Sequence, residues 1–268
     1  MEYAPRMRIG LALGGGAVRG LAHVGVLSVL VGAGIPIDYV AGTSAGSIIG
    51  ALFCAGYDME QLHVLARETS WWKVSRLVVS PRGFLSFNKL AGWLSDRIGN
   101  VDIDELLKPF AVVAADIFSG QEVDLHSGNL ARAVQASCSI PGLVEPVEID
   151  GKLLVDGSLV NTVPVSVLRQ MGADYVIGVD ILTHKIRWRL GPLGYGIAAI
   201  EILAERAGGG MNLADCLIAP DLAGKTYVRF SKNDELFELG ARAARQQLEK
   251  IQSDLSLIEA HENPVFER

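Results

Sequence analysis

The stretch Tyr39-Val40-Ala41-Gly42-Thr43-Ser44-Ala45-Gly46-Ser47-Ile48-Ile49-Gly50-Ala51-Leu52-Phe53-Cys54-Ala55 decides how this chain folds. Tyr39 to Thr43 is a short apolar run of strand character, and Ala45 to Ala55 is apolar on nearly every side, as a helix buried in a layered protein is. Ser44 alone is left for the turn between them. Such a turn lifts the serine hydroxyl clear of the sheet, and Gly42 and Gly46 are small because the backbone folds tightly around it. The following helix adds the positive end of its dipole, which favours a developing oxyanion. The five-residue pattern alone also suits an ordinary glycine-serine turn; the strand-turn-helix setting is what points to a nucleophile.

Upstream, Arg8 to Leu13 reads as a strand that runs into Gly14-Gly15-Gly16-Ala17-Val18-Arg19-Gly20. Gly20 to Ala33 then reads as a buried helix, with Leu21, Val24, Leu27, Leu30 and Val31 in one broad stripe and Gly34 and Pro36 as its stop. Strand, helix, strand, helix implies a parallel sheet with crossover connections. The glycine run is not a dinucleotide fingerprint, because Ala17 or Arg19 falls where glycine is required. Nor is it a phosphate loop, since no Gly-Lys-Ser or Gly-Lys-Thr follows. Consecutive glycines let backbone N–H groups converge on a small anion, so an oxyanion hole fits better. Losing one such donor costs about 3–4 kcal/mol of transition-state stabilisation.

Downstream, Asp156-Gly157 follows the apolar Leu153-Leu154-Val155. A carboxylate at a strand end is held in a mostly buried site, where its pKa rises and it becomes a better acceptor for a serine proton. Alone, it reads more readily as an ordinary turn aspartate; the companion motifs change that reading. Val147 to Val155 predicts a hairpin turning at Asp150-Gly151. Further strands are expected at Phe110–Ile117, Glu122–Leu125, Tyr175–Asp180, Cys216–Ala219 and Tyr227–Phe230. Helices are expected at Asn129–Ser139, Pro164–Met171 and Asp234–Ala260. Asp58 to Asn100 shows no strong strand and reads as helices and loops over the sheet edge; Thr183 to Gly210 is ambiguous.

A formal charge of −6 over 268 residues offers no basic footprint for nucleic acid. Cys54, Cys138 and Cys216 are far apart and odd in number, which suggests buried thiols rather than disulfides or a metal site. The uncharged runs Gly20–Ile37 and Tyr39–Tyr57 reach membrane-span length, about 17–25 residues, but Gly34-Pro36 and the Gly42–Gly46 turn break them. With no signal-peptide core near Met1, a soluble cytoplasmic protein is expected.

Taken together, Leu13 to Leu27, the serine elbow, Ser139-Ile140-Pro141-Gly142 and Leu153 to Pro164 resemble the patatin-like phospholipase family, in its bacterial cytoplasmic branch. The resemblance covers nearly the first two thirds of the chain, in family order. It implies an α/β class, a three-layer α/β/α fold with a mostly parallel central sheet, and hydrolysis of lipid esters by a Ser-Asp dyad without histidine. No cofactor is expected, and no metal, since no His, Asp or Cys cluster at metal-ligand spacing flanks either glycine motif. Carried over by position, Ser44 is the nucleophile, Asp156 the base, Gly15 and Gly16 line the oxyanion hole, and Arg19 braces the loop. Two residues depart from the family pattern. Ala17 replaces a usual glycine, which matters if that residue needs positive φ, and Ser158 follows Asp-Gly where a small apolar residue is usual.

One domain spanning 1–268 is expected, with the core motifs in 8–180 and a helical region in 183–268. Alternatives are a regulatory protein on the same fold and a Ser-Asp-His esterase using His184; His23 reads as a packing histidine, and His63, His126 and His261 as surface residues. Partners are the lipid ester and, transiently, a membrane surface; no oligomeric state is implied. Lys185, Arg187, Trp188 and Arg189 with the apolar 191–202 run predict a lid or docking surface, though packing on the sheet explains them as well. Trp71-Trp72 with Phe84-Leu85 and Phe87 are a second such candidate.

Overall fold

The computed structural model describes residues 6–68, 71–182, 191–207, 210–222 and 233–262. Strands β1 (Ile9–Leu13) and β2 (Tyr39–Thr43) frame helix α1 (Leu21–Gly32), and α2 (Ala45–Cys54) follows β2 directly. Then come α3 (Met59–Glu68), α4 (Trp71–Val74), β3 (Arg76–Ser80), β4 (Gly83–Ser86) and α5 (Asn88–Ile98). The second half supplies β5 (Phe110–Asp116), β6 (Glu122–Leu125), α6 (Leu130–Ser137), β7 (Val147–Ile149), β8 (Lys152–Asp156), α7 (Val165–Gln170) and β9 (Tyr175–Val179). Helix α8 (Gly191–Arg206), β10 (Cys216–Ile218) and the long α9 (Asn233–Glu262) close the described chain.

The main sheet has eight strands in the order β10-β9-β1-β2-β5-β8-β7, with β6 also paired to β5. From β10 to β5 every pairing is parallel, while β6, β8 and β7 run antiparallel to their neighbours. The sheet is therefore mixed but mostly parallel, with helices on both faces. Side-chain alternation along each strand explains the two layers. Ile9, Leu11, Leu13, Val40, Val112 and Ile177 enter the large core under α1, α2, α5, α6 and α9. Ala12, Ala41, Ala111 and Val176 face the other way and pack with Val165, Val167 and Leu168 of α7. Three alanines on that face let α7 lie close to the strands.

Helices α1 and α9 cross through two glycines. A Cβ at Gly25 would overlap the Phe237 carbonyl, and one at Gly240 the Ala22 carbonyl. This close approach buries the apolar side of α9, including Leu236, Ala244 and Ile251.

Several expectations change in detail. The stretch 58–100 carries an antiparallel ribbon, β3–β4, where only helices and loops were expected. Its strands are short, and their burial does not alternate cleanly along either one, so they lack the signal by which a half-buried strand announces itself. A 3-10 turn at Ala17–Gly20 precedes α1, and α8 resolves the ambiguous segment from Gly191 onward. The expected strand Tyr227–Phe230 lies outside the described residues, as do Lys185, Arg187, Trp188 and Arg189. No helix of the described residues is long and apolar enough to cross a membrane.

Candidate active site

Ser44 sits at the C-terminal end of β2 and caps α2 with φ 50° and ψ −119°, a backbone state that L-residues avoid. The tertiary structure holds it there from three sides. The Ser44 N–H donates to Ser137 Oγ at 2.8 Å, and Ser137 Oγ donates in turn to the Val113 carbonyl at 2.6 Å. The Ser44 carbonyl accepts from Ser47 Oγ at 2.6 Å and from the Ser47 N–H at 2.9 Å. A Cβ at Gly46 would overlap the Leu13 carbonyl, and one at Gly42 would lie 2.6 Å from Ser47 Cα, so both glycines of the elbow are sterically required.

Asp156 ends β8, 112 residues further along the chain, and its Oδ2 accepts from Ser44 Oγ at 2.7 Å. Its backbone N–H donates to the Ser139 carbonyl at 2.9 Å, and its Oδ1 accepts the Ser158 N–H at 2.9 Å. Ser44 and Asp156 are both buried. Burial raises the Asp156 pKa, against the opposing pull of hydrogen bonds from Ser158 and Ser44. The hydroxyl of Ser158 is among those opposing bonds and lies over Gly15 Cα.

The glycine loop lies beside the serine: a Cβ on Gly15 would stand 3.5 Å from Ser44 Cβ. The pairing of its amides refines the expected oxyanion hole. The Gly15 N–H already donates to the Thr162 carbonyl at 3.1 Å, and that of Gly14 to Val179 at 3.0 Å. Gly15 therefore lines the site by its bare Cα, while the Gly16 N–H meets no protein acceptor among the described residues. The Gly14 carbonyl is held by His23 Nε2 at 2.8 Å. His23 is fully buried, and burial lowers its pKa to about 4, so it is a neutral packing histidine. Arg19 is buried and donates through Nη1 to the Ile181 carbonyl at 3.2 Å, tying the glycine loop to the segment just after β9. Ala17 does adopt positive φ, +52°, at the position where the family usually has glycine.

A cavity of about 120 Å³ opens at Ser44 between α2, α3 and α5. Leu52, Leu65, Val74, Phe87, Leu90 and Trp93 are among its walls, and among the described residues Ser44 and Cys138 are the only hydroxyl or thiol side chains on it. Cys138 has its Sγ 4.0 Å from Ser47 Oγ; burial pushes its thiol pKa far up, so it stays protonated beside the serine. His184 lies outside the described residues, and no group of three His, Cys, Asp or Glu side chains converges among those described. Helix α8 reaches the same region: Thr162 Oγ1 donates to the Ala204 carbonyl.

Ser137, Ser47 and Thr162 were not legible as site residues. Ser137 is one polar residue on an amphipathic helix, and only its reach across to β2 gives it a task. The closest local signal was the neighbouring Ser139-Ile140-Pro141-Gly142.

Comparisons with known proteins bear on the family and the fold. The family model for patatin-like phospholipase matches residues 11–169. An uncharacterised NTE-family protein of Mycobacterium bovis is 36% identical over 177 residues, which are 65% of this chain and 49% of that protein. Lysophospholipase nte1 of Aspergillus fumigatus is 29% identical over 286 residues, covering 93% of this chain and 19% of its own length. The chain thus spans about half or less of these curated relatives. Among solved structures, VipD from Legionella pneumophila superposes with a TM-score of 0.56 at 15% identity, over 92% of this chain and 67% of VipD, a likeness of fold. With a family model matched over more than half of its length, the chain belongs to the patatin-like phospholipase family.

Proposed function

We propose that this protein is a serine lipid acyl hydrolase, of the phospholipase A or lysophospholipase type, that works through a Ser44–Asp156 dyad. The observation that carries the reading is the 2.7 Å bond from Ser44 Oγ, which lines an apolar cavity, to the buried Asp156 carboxylate. Family membership and the relatives named lysophospholipase support the lipid ester as substrate. The acyl chain lies in the cavity, where its hydrocarbon leaves water at about 0.8 kcal/mol per buried CH₂.

Ser44 Oγ attacks the ester carbonyl as Asp156 takes its proton; the raised pKa of the buried carboxylate makes that transfer easier. The tetrahedral oxyanion is stabilised by the Gly16 N–H and the N-terminal end of α2. Collapse expels the alcohol, which leaves with the proton from Asp156, and the acyl group stays on Ser44. Water, deprotonated by Asp156, then attacks the acyl-serine, and Asp156 returns that proton to Ser44 Oγ as the fatty acid leaves, restoring the free serine. Gly15 keeps the approach to Ser44 open, and Arg19 braces the loop.

Fluorophosphonate labelling and hydrolysis of lysophosphatidylcholine test this directly. Ser44→Ala should lose both, and Asp156→Asn should lower kcat at least about a hundredfold. An active Asp156→Asn variant beside a dead His184→Ala variant would replace the dyad with a triad.

A further inference from the structure

The β3–β4 ribbon stands apart from the main sheet and carries apolar side chains in water. Leu77 is 74% exposed, Val79 109% and Phe84 58%. Exposed apolar groups gathered on one small projection mark an interaction surface. The ribbon is rooted in the wall of the cavity beside Ser44. Val74, just before β3, and Phe87, just after β4, both line that cavity. Strand β4 is tied down by bonds from the Phe84 and Leu85 N–H groups to the Leu143 carbonyl, at 2.9 and 3.0 Å, and from the Glu145 N–H to the Leu85 carbonyl at 2.8 Å.

Charge identifies the occupant. Although the chain carries −6 overall, residues 69–95 contain Lys73, Arg76, Arg82 and Lys89 and no Asp or Glu. Lys73, Arg76 and Arg82 are exposed and form no ion pair among the described residues. Glu145 is the acidic residue on the neighbouring segment that joins the ribbon. Protruding hydrocarbon surrounded by unpaired cations is what an interfacial anchor for anionic lipid requires. A partner β-strand fits less well, because the pairing register shifts between Leu77 and Ser80, and such irregularity with charge blunts an edge.

We propose that the β3–β4 ribbon docks on the surface of an anionic phospholipid bilayer and sets the mouth of the Ser44 cavity against it; the choice of a lipid surface rests on the lipid-ester reading of that cavity. Leu77, Val79 and Phe84 enter the headgroup boundary, and Arg76 and Arg82 meet phosphate.

The experiment is sedimentation of the full chain with vesicles of phosphatidylcholine, with and without phosphatidylglycerol. Binding should require phosphatidylglycerol and weaken with salt. Arg76→Gln with Arg82→Gln should weaken it about 25-fold, at roughly fivefold per cation. Leu77→Ser with Val79→Ser and Phe84→Ser should weaken it at least about tenfold, with the thermal midpoint reporting the fold. An environment-sensitive dye on Val79→Cys should shift to the blue on anionic vesicles. The three native cysteines are buried, so the dye goes to the new thiol, and this readout holds even where a multiple variant misfolds. No sedimentation above the lipid-free control overturns the proposal. So does binding with an unchanged dye signal, which places the contact elsewhere, or self-association abolished by the serine variants, which makes the partner a second copy. Turnover of a short soluble ester is read on the unaltered chain: vesicle binding without turnover defeats the hydrolase reading alone, and turnover without vesicle binding defeats the docking alone.

Discussion

Ser137 Oγ accepts the Ser44 N–H at 2.8 Å while donating to the Val113 carbonyl at 2.6 Å, so one hydroxyl on α6 ties the Ser44 backbone to β5. The positive φ of Ser44 is a state that persists only where its surroundings over-determine it. Ser137 is one of those surroundings; on the proposed mechanism it is a positioning residue, since it touches the backbone of Ser44 and not the Ser44–Asp156 bond.

Ser137→Ala should therefore leave a buried N–H and a buried carbonyl without this partner, at about 1–3 kcal/mol. Urea unfolding should report that loss, and turnover of a short ester should fall through kcat while KM moves little. Wild-type stability and kcat together in the variant would remove Ser137 from the account.

With Asp156 as the proposed base, a pH signature is expected in both activity and stability. Its folded pKa is raised by burial above the unfolded value, so the folded state binds more protons across that interval and stability falls as pH rises through it. Asp156→Asn should thus be inactive yet melt higher than wild type at pH 8, with the gap closing as pH falls toward the ordinary carboxylate range. Wild-type kcat should drop on the acid side with loss of the carboxylate, above that ordinary range. A gap independent of pH would mean that the charge is not what burial penalises.

His23 predicts the opposite slope. Its folded pKa of about 4 lies below the usual 6.5, so the unfolded chain binds the extra proton between those values. Stability from this group is full above pH 6.5 and is lost as pH falls toward 4, by about 3 kcal/mol. His23→Gln, which retains an amide donor for the Gly14 carbonyl, should remove that component of the wild-type pH profile. An identical profile in the variant would reject the buried neutral histidine.

Ala17 at φ +52° is strained where glycine would not be. Ala17→Gly should raise the unfolding free energy by about 1 kcal/mol, the cost of the left-handed state to an L-residue. Calorimetry showing a lower midpoint would indicate that the methyl's packing beside the cavity outweighs the strain.

Much of this protein was legible along the chain. The elbow Gly42–Gly46, the glycine run from Gly14 and Asp156 at a strand end each follow from local rules of backbone and periodicity. They predicted the strand-helix alternation, the buried α1 and α2, and the Asp150-Gly151 hairpin. What only the tertiary structure decided is how distant pieces meet. The Ser44–Asp156 bond joins residues 112 apart in sequence, and no local rule measures that distance. Thr162 takes the Gly15 N–H and leaves that of Gly16, because hydrogen-bond accounting depends on which loops are neighbours in space. Ser137 acquires its task, and the β3–β4 ribbon its exposure beside the cavity, for the same reason. Local propensity writes the elements, while burial and partner choice are properties of the packed whole.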